Sequence, residues 1–472
     1  GGESWIRDNL EAVAVAIIMA LLIRHFCVEA FRIPTNSMRP TLNGKEVHGD
    51  RILVDKFAYL RRDPRRFEVA VFQYPLHRTR SFIKRIAGLP GERLCILDGD
   101  VWTSSDGGVR WSIARKPRGA REELFFAYYP VPVDSRESFV AEDREESNWD
   151  CGPEWRVDEP GRRFDVDAGE AEAALTFLPH VLPYDRADAG RDASTPYVGD
   201  VRISFRVAVE RGGELALRIT EHGRRHRLLL SAAGSRAEVG EPEGTRKELG
   251  FRLVPGREHS VSFANVDDTL WIELDGEETK VEFPRASSAL PEDPPSLAVA
   301  GSEWWHHEIS LAARGLRATL ADLALARDIY YLRGLHGSPG KRIYEIPDGH
   351  YFMLGDNTGS SADSREWRVT EARLEDGTVI RWESGQRNVD GVIVRNPESV
   401  RPYAGTVATI VVEGDVDGLV RRFANSDVKE WLPTVDRPFV PRGHLVGRAF
   451  SVFWPFFAPP LYAGPSRVKL IR

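Results

Sequence analysis

Ser37 and Lys84 are the two residues of this sequence whose settings favour covalent chemistry. Ser37 lies in Phe31-Arg-Ile-Pro-Thr-Asn-Ser-Met-Arg-Pro-Thr41. There Pro34 and Pro40 bracket Thr35 and Ser37 and hold the chain in an extended, non-helical path, so a hydroxyl is presented on a rigid segment. A serine hydroxyl attacks weakly at neutral pH unless a base stands within hydrogen-bond reach. Lys84 meets that need: it falls among Phe82, Ile83 and Ile86 in an apolar strand pattern closed by the turn Gly88-Leu-Pro-Gly91. A lysine in such surroundings loses solvation, which disfavours its charged form and lowers its pKa. It can then take the serine proton and return one to a leaving amine. Taken singly, Ser37 also reads as a turn hydroxyl and Lys84 as a strand lysine snorkelling to solvent. Far downstream, Tyr351-Phe-Met-Leu-Gly-Asp-Asn-Thr-Gly-Ser-Ser-Ala-Asp-Ser-Arg365 runs from an apolar strand into a loop rich in hydroxyl and Asx residues, in isolation a surface turn.

The elements that must position these groups are short. Gly49–Asp55 and Val69–Tyr74 are β-branched runs after turn residues and read as strands. Upstream of Ser37, Ala12–Ile23 (AVAVAIIMALLI) is uncharged but shorter than the ~20 residues that cross a bilayer. Adding Trp5, Ile6 and Leu10 before it and Phe26, Cys27, Val28, Ala30 and Phe31 after it makes a single anchoring helix plausible, with Arg7, Glu11, Arg24 and Glu29 placed to snorkel. A buried core helix is the alternative, and no small-x-small cleavage signal follows the run. Arg24 and Arg32 follow the segment and only Arg7 precedes it, so charge alone leaves its orientation undecided, the more so because the sequence opens Gly-Gly without a methionine.

Composition bounds the class. At ~150 residues per domain, 472 residues suggest about three domains. Hydrophobic residues at 42% and charged residues at 29% are globular values, and a mean hydropathy of −0.34 excludes a polytopic membrane protein. With a net charge of −7 no global basic field exists, so nucleic acid is not expected as a partner. Cys27, Cys95 and Cys151 have no zinc or redox spacing.

Together the boxes resemble the bacterial type I signal peptidases, membrane-anchored serine proteases with a Ser/Lys dyad. The serine box appears as Ser37-Met38-Arg39-Pro40-Thr41, the Gly-Asp box as Gly49-Asp50, the Lys-Arg-x-x-Gly-x-Pro-Gly box as Lys84 to Gly91, and the Gly-Asp-Asn box as Gly355 to Arg365. The resemblance implies Ser37 as nucleophile and Lys84 as general base, with an oxyanion hole from the Ser37 N–H and the Thr35 hydroxyl, where many members carry Ser. It implies that Ser361 hydrogen-bonds and orients the lysine, and that Asp363 and Arg365 brace the site, a solvated ion pair being the bland alternative. Asp356 and Asn357 complete the supporting set; Thr358 stands where the family usually has Arg. The implied substrates are signal peptides of preproteins, at the outer face of the cytoplasmic membrane, with no metal or organic cofactor.

Thr103–Arg342 has no counterpart in those boxes. Val201–Val209 alternates cleanly, Leu215–Ile219 and Leu228–Leu230 follow, and Leu270–Glu278 contains an Asp275-Gly276 hairpin signal. Such spacing reads as a β-sandwich, weakly similar to concanavalin-like or laminin-G-like jelly rolls, a type that often binds glycans or proteins. Asp267, Asp268, Asp275, Glu277 and Glu278 lack a calcium-loop spacing and read as exposed turns. Trp304-Trp305-His306-His307 places adjacent histidines on opposite strand faces, which disfavours one shared metal. The closing segment Gly443–Phe457 resembles the family's last strand, and its Phe450, Phe453, Trp454, Phe456 and Phe457 form either an interfacial patch or ordinary core; Pro455, Pro459 and Pro460 exclude a second spanning helix.

The expected class is mainly β: an anchor helix at 5–31, a catalytic core at 32–103, 341–367 and 439–472, an inserted jelly-roll-like β-sandwich at 104–340, and a smaller insertion at 368–438. The competing functions are a repressor-cleaving type of Ser/Lys protease and an envelope protein that binds through its sandwich. The helix abutting Ser37 opposes the first, and the intact Ser37, Lys84 and Ser361 oppose the second.

Overall fold

The computed structural model describes residues 2–22, 27–44, 49–129, 148–158, 162–178, 198–221, 223–241, 244–283, 307–334, 343–383, 409–413, 420–424, 427–454 and 468–471. The chain is mainly β and divides into two compact units: Gly1–Leu94 with Arg333–Arg472, and Cys95–Leu332.

The first unit opens with helix α1 (Gly2–Leu22). Leu10, Val13, Val15, Ile17, Ile18 and Met19 on it are all exposed. Among the described residues no helix is long and apolar enough to cross a membrane. Arg7, Asp8 and Glu11 precede the apolar run and charge the first turns of the helix, so the expected spanning helix is present only as a helix.

Seven strands then build the main sheet: β1 (Val28–Arg32), β2 (Arg51–Asp55), β3 (Val69–Tyr74), β4 (His77–Gly88), β5 (His350–Leu354), β6 (Phe439–Pro441) and β7 (Leu445–Trp454). Their order is β1-β2-β7-β3-β4-β5-β6, with Lys469–Leu470 paired to β7. Period-two alternation divides β3 and β4 between two cores. Val69 and Val71 pack with Met38, Leu42, Ile52 and Val54. Ala70, Phe72, Tyr74 and Ile86 pack with Tyr351, Met353 and Trp367. The register pairs Ala70 with Lys84 and Val69 with Arg85, so the lysine and the arginine leave opposite faces of one strand. That arrangement explains why the end of β4 is buried on both sides. Strand β7 closes the sheet between β2 and β3. Its Trp454 is 39% exposed and lies under the Arg51 guanidinium, while Phe456 and Phe457 fall outside the described residues. In the 368–438 segment, Arg368–Leu374 pairs with Val379–Glu383 and with Val428–Asp436.

The second unit contains an eight-stranded and a seven-stranded antiparallel sheet. Alternate residues of Val201–Arg211 in one sheet and of Glu214–Glu221 in the other feed one core that includes Ile203, Phe205, Leu215, Leu217, Leu311 and Leu320. Asp275-Gly276 makes the expected hairpin, with both residues at positive φ. Asp267 and Asp268 depart from expectation: they are 3% and 5% exposed, because the turn that carries them folds inward. Trp304, Trp305 and His306 lie outside the described residues.

Candidate active site

Residues 33–44 carry the candidate nucleophile, and backbone bonds fix them to β2. The Ile33 N–H donates to the Asp50 carbonyl at 2.9 Å, and the Asp50 N–H to the Asn43 carbonyl at 2.8 Å. The buried Asp50 carboxylate accepts the Asn43 N–H at 2.8 Å, which gives the Gly49-Asp50 box a structural task. Within the segment Arg39 N–H donates to Asn36 O and Leu42 N–H to Met38 O, closing a turn at Ser37. The Arg39–Pro40 bond is cis. Met38, fully buried, anchors the turn in the core.

Lys84 reaches this turn from β4, and its Nζ donates to Ser37 Oγ at 2.7 Å. The lysine is 4% exposed. Burial brings its pKa down to about 8, although the nearby Asp363 and Asp356 carboxylates oppose the shift. A minor but substantial fraction is therefore neutral near physiological pH, far more than for a solvated lysine, with a lone pair able to accept the proton of the hydroxyl it touches. Thr35 Oγ1 donates to Ser37 Oγ at 3.4 Å, which sets a second hydroxyl beside the nucleophile.

The loop after β5 supports the turn from the other side. Asn357 contributes its main chain: its N–H donates to the Ser37 carbonyl at 3.1 Å, and its own carbonyl accepts from Ser360. Asp363 accepts from the Gly355 N–H at 2.9 Å and from Arg365 Nε and Nη2 at 2.8 and 2.7 Å. Both side chains of that pair are fully buried, so the solvated alternative does not hold. Arg365 also donates to the Thr358 carbonyl, so the residue standing in place of the family's Arg is used through its backbone. A Cβ on Gly355 would lie 1.9 Å from Ser361 Oγ and 2.6 Å from the Ser37 carbonyl, so only glycine lets the two segments meet. Ser361 is thus at the site but does not make its expected bond: its Oγ is buried and among the described residues has no hydrogen-bond partner, Lys84 included. The lysine is committed to Ser37 instead.

Two further side chains join the site without having been given roles from sequence. Arg85, fully buried, binds Asp356 with Nε at 2.9 Å and Nη2 at 2.8 Å, and also donates to the Phe67 carbonyl. Thr41 donates to the same carboxylate at 2.6 Å and accepts from Arg85. This bidentate pair ties the nucleophile segment, β4 and the loop after β5 together. Both residues stand in the sequence boxes, but their pairing with Asp356 depends on strand register. That register sets Leu354 opposite Arg85.

Residues 6–144 and 324–382 match the signal peptidase family, peptidase S26. The chain is similar to several type I signal peptidases. A Synechocystis protein named as a probable signal peptidase I-2 is 33% identical over 154 residues, covering 31% of this chain and 65% of that protein. Signal peptidase I of Pseudomonas aeruginosa is 46% identical over 88 residues, covering 16% and 30%. That of Leptolyngbya laminosa is 37% identical over 106 residues, covering 21% and 50%. The chain spans less than two thirds of each. Among solved structures, a carbohydrate binding module from Bacillus subtilis aligns with 38% of this chain and 96% of its own at 9% identity, with a TM-score of only 0.25.

Proposed function

We propose that this chain is a membrane-bound serine endopeptidase that removes signal peptides from exported preproteins. The observation that carries the proposal is the 2.7 Å contact between Ser37 Oγ and the amine of Lys84, which is buried. Ser37 attacks the scissile carbonyl while neutral Lys84 takes its proton. In this reading the backbone N–H of Ser37 and the Thr35 hydroxyl, turned from Ser37 Oγ, supply the donors for the developing oxyanion. Protonated Lys84 then gives its proton to the leaving amine, and the regenerated base activates the water that hydrolyses the acyl-enzyme. Asp363, Arg365, Asp356 and Asn357 act by holding the two segments in place.

The bilayer is the second partner in this reading. Helix α1 leaves Leu10, Val13, Val15, Ile17, Ile18 and Met19 uncovered, and lipid is the environment that would take them up. The active site then sits on the extracytoplasmic face of the cytoplasmic membrane, where exported chains emerge. The second unit is read as a jelly-roll-like β-sandwich inserted into the protease, a carrier for a glycan or protein ligand.

One experiment tests enzyme and anchor together. Vesicles carrying the chain, given a preprotein, will release a mature product shortened by its signal peptide, and the chain will stay in the vesicle pellet after alkaline extraction. An unprocessed preprotein contradicts the activity, and a chain released by alkali contradicts the anchor.

A further inference from the structure

At one end of the larger sheet in the second unit, two aspartates close on one buried lysine. A two-residue turn joins strands Glu258–Asn265 and Thr269–Leu274. It is closed by the Val266 N–H on the Thr269 carbonyl and the Thr269 N–H on the Val266 carbonyl, both at 3.0 Å. Its tip residues, Asp267 and Asp268, each have φ 51°, the left-handed backbone that such a turn needs and that Asp tolerates. The turn aims the Asp267 carboxylate inward. One of its oxygens accepts the Lys116 N–H at 2.8 Å, and the other pairs with Nζ of the same residue. Asp328, just beyond strand Arg317–Arg327, brings an oxygen to 2.7 Å from that Nζ. Asp200 fixes both aspartates: its carboxylate accepts the Asp267 N–H at 2.9 Å and its carbonyl the Asp328 N–H at 2.8 Å. The side chains of Lys116, Asp267 and Asp328 are at most 4% exposed.

In water an ammonium and a carboxylate do not condense, because both ions are solvated and water is in excess. Burial removes both obstacles, since desolvated ions are costly and a neutral amide has no charge to desolvate. Fixed geometry adds to this, as well-oriented neighbouring groups react as though at about 10⁵–10⁸ M. Attack also needs an uncharged amine. Burial works to lower the Lys116 pKa, but the facing Asp267 and Asp328 carboxylates outweigh it and hold the resting amine protonated, well above the usual lysine range. Asp328 is the group placed to take that proton: burial raises its carboxyl to about 6, much nearer neutrality than a solvated carboxylate. Asp267, gripped by both nitrogens of Lys116, is the one whose carboxyl carbon is held beside the amine.

We propose that Lys116 and Asp267 become joined by an isopeptide bond, with Asp328 as the proton relay. Nζ gives one proton to Asp328 and attacks the Asp267 carboxyl carbon. That proton and a second from the nitrogen leave with one carboxylate oxygen as water, so a C–N bond replaces a C–O bond and the two charges cancel. No oxidant or other reactant is consumed. The link would tie the segment entering the sandwich to a turn 151 residues further on, and would constrain the unfolded chain as a disulfide does. This modification owes nothing to the protease reading.

The full chain, purified in detergent and then denatured and reduced, will have an intact mass one water below that of its sequence. Proteolysis will yield a branched peptide in which Lys116 carries Asp267. Lys116→Arg and Asp267→Ala will each show the full mass of their sequences, and Asp328→Asn will leave most chains at full mass. The wild-type mass decides the matter whether or not any variant folds. A wild-type chain still at full mass after days folded at neutral pH would overturn the proposal. So would a water loss that Lys116→Arg retains, which would place it elsewhere, as in a succinimide at Asp275-Gly276.

Discussion

Replacing Lys84 with methionine will lower kcat/KM for preprotein cleavage by about 10³-fold or more, with the fold intact. Positioned general bases contribute about 10²- to 10⁴-fold, and in the proposed mechanism this lysine acts both in acylation and in deacylation. Methionine matches the length of the side chain and tolerates its apolar surroundings. It leaves no desolvated amine behind, so the midpoint of thermal unfolding should stay level or rise. Ser37→Ala removes the nucleophile and should cost as much, whereas the double variant should lose little beyond either single one, because the two residues act as one unit. Initial rates beside melting curves separate the chemistry from the fold. A Lys84→Met enzyme that kept more than about a tenth of its activity would remove the lysine from the mechanism.

The second large effect is on stability. Arg85→Met strips the Asp356 carboxylate of its bidentate partner in a site where both side chains are fully buried. Breaking a buried pair by removing one member costs about 3–5 kcal/mol, because the remaining charge is left uncompensated. Thr41 cannot replace the guanidinium, since it offers one neutral donor. The Phe67 carbonyl also loses its partner. Denaturant titration should show the first unfolding transition displaced by that amount, with much of the loss recovered when Asp356→Leu is added. A displacement below about 1 kcal/mol would mean that the pair does not hold the nucleophile segment to the loop after β5.

The contact of Ser37 with Lys84 was anticipated because each member sits inside a contiguous box whose neighbours advertise its environment: prolines around Ser37, apolar strand residues around Lys84. The strand-rich class was equally visible in the alternation of Val201–Val209 and in the Asp275-Gly276 turn. Roles that depend on register were not. Arg85 follows Lys84 in sequence yet leaves the other face of β4, and its partner Asp356 is brought over by the pairing of β4 with β5. Ser361 was placed correctly by its box, but its hydrogen bond was not, since hydroxyl orientation depends on fractions of an ångström in the surrounding loop. Asp267 and Asp268 looked like surface turn residues because composition cannot show that the turn folds inward over Lys116. The apolar segment before Ser37 was legible as a helix, and its charged first turns keep the described helix short of a span.

The central claim is that a neutral Lys84 activates Ser37, and the pH dependence of kcat/KM tests it most directly. Burial lowers the lysine pKa to about 8. The competent, uncharged amine therefore predominates above that value and is lost as pH falls. The account predicts a rate that falls about tenfold per pH unit below about 7 and levels off above about 9, with the midpoint near the lysine pKa. A profile flat between about pH 5 and about pH 9, or one that falls as pH rises through that range, would contradict it.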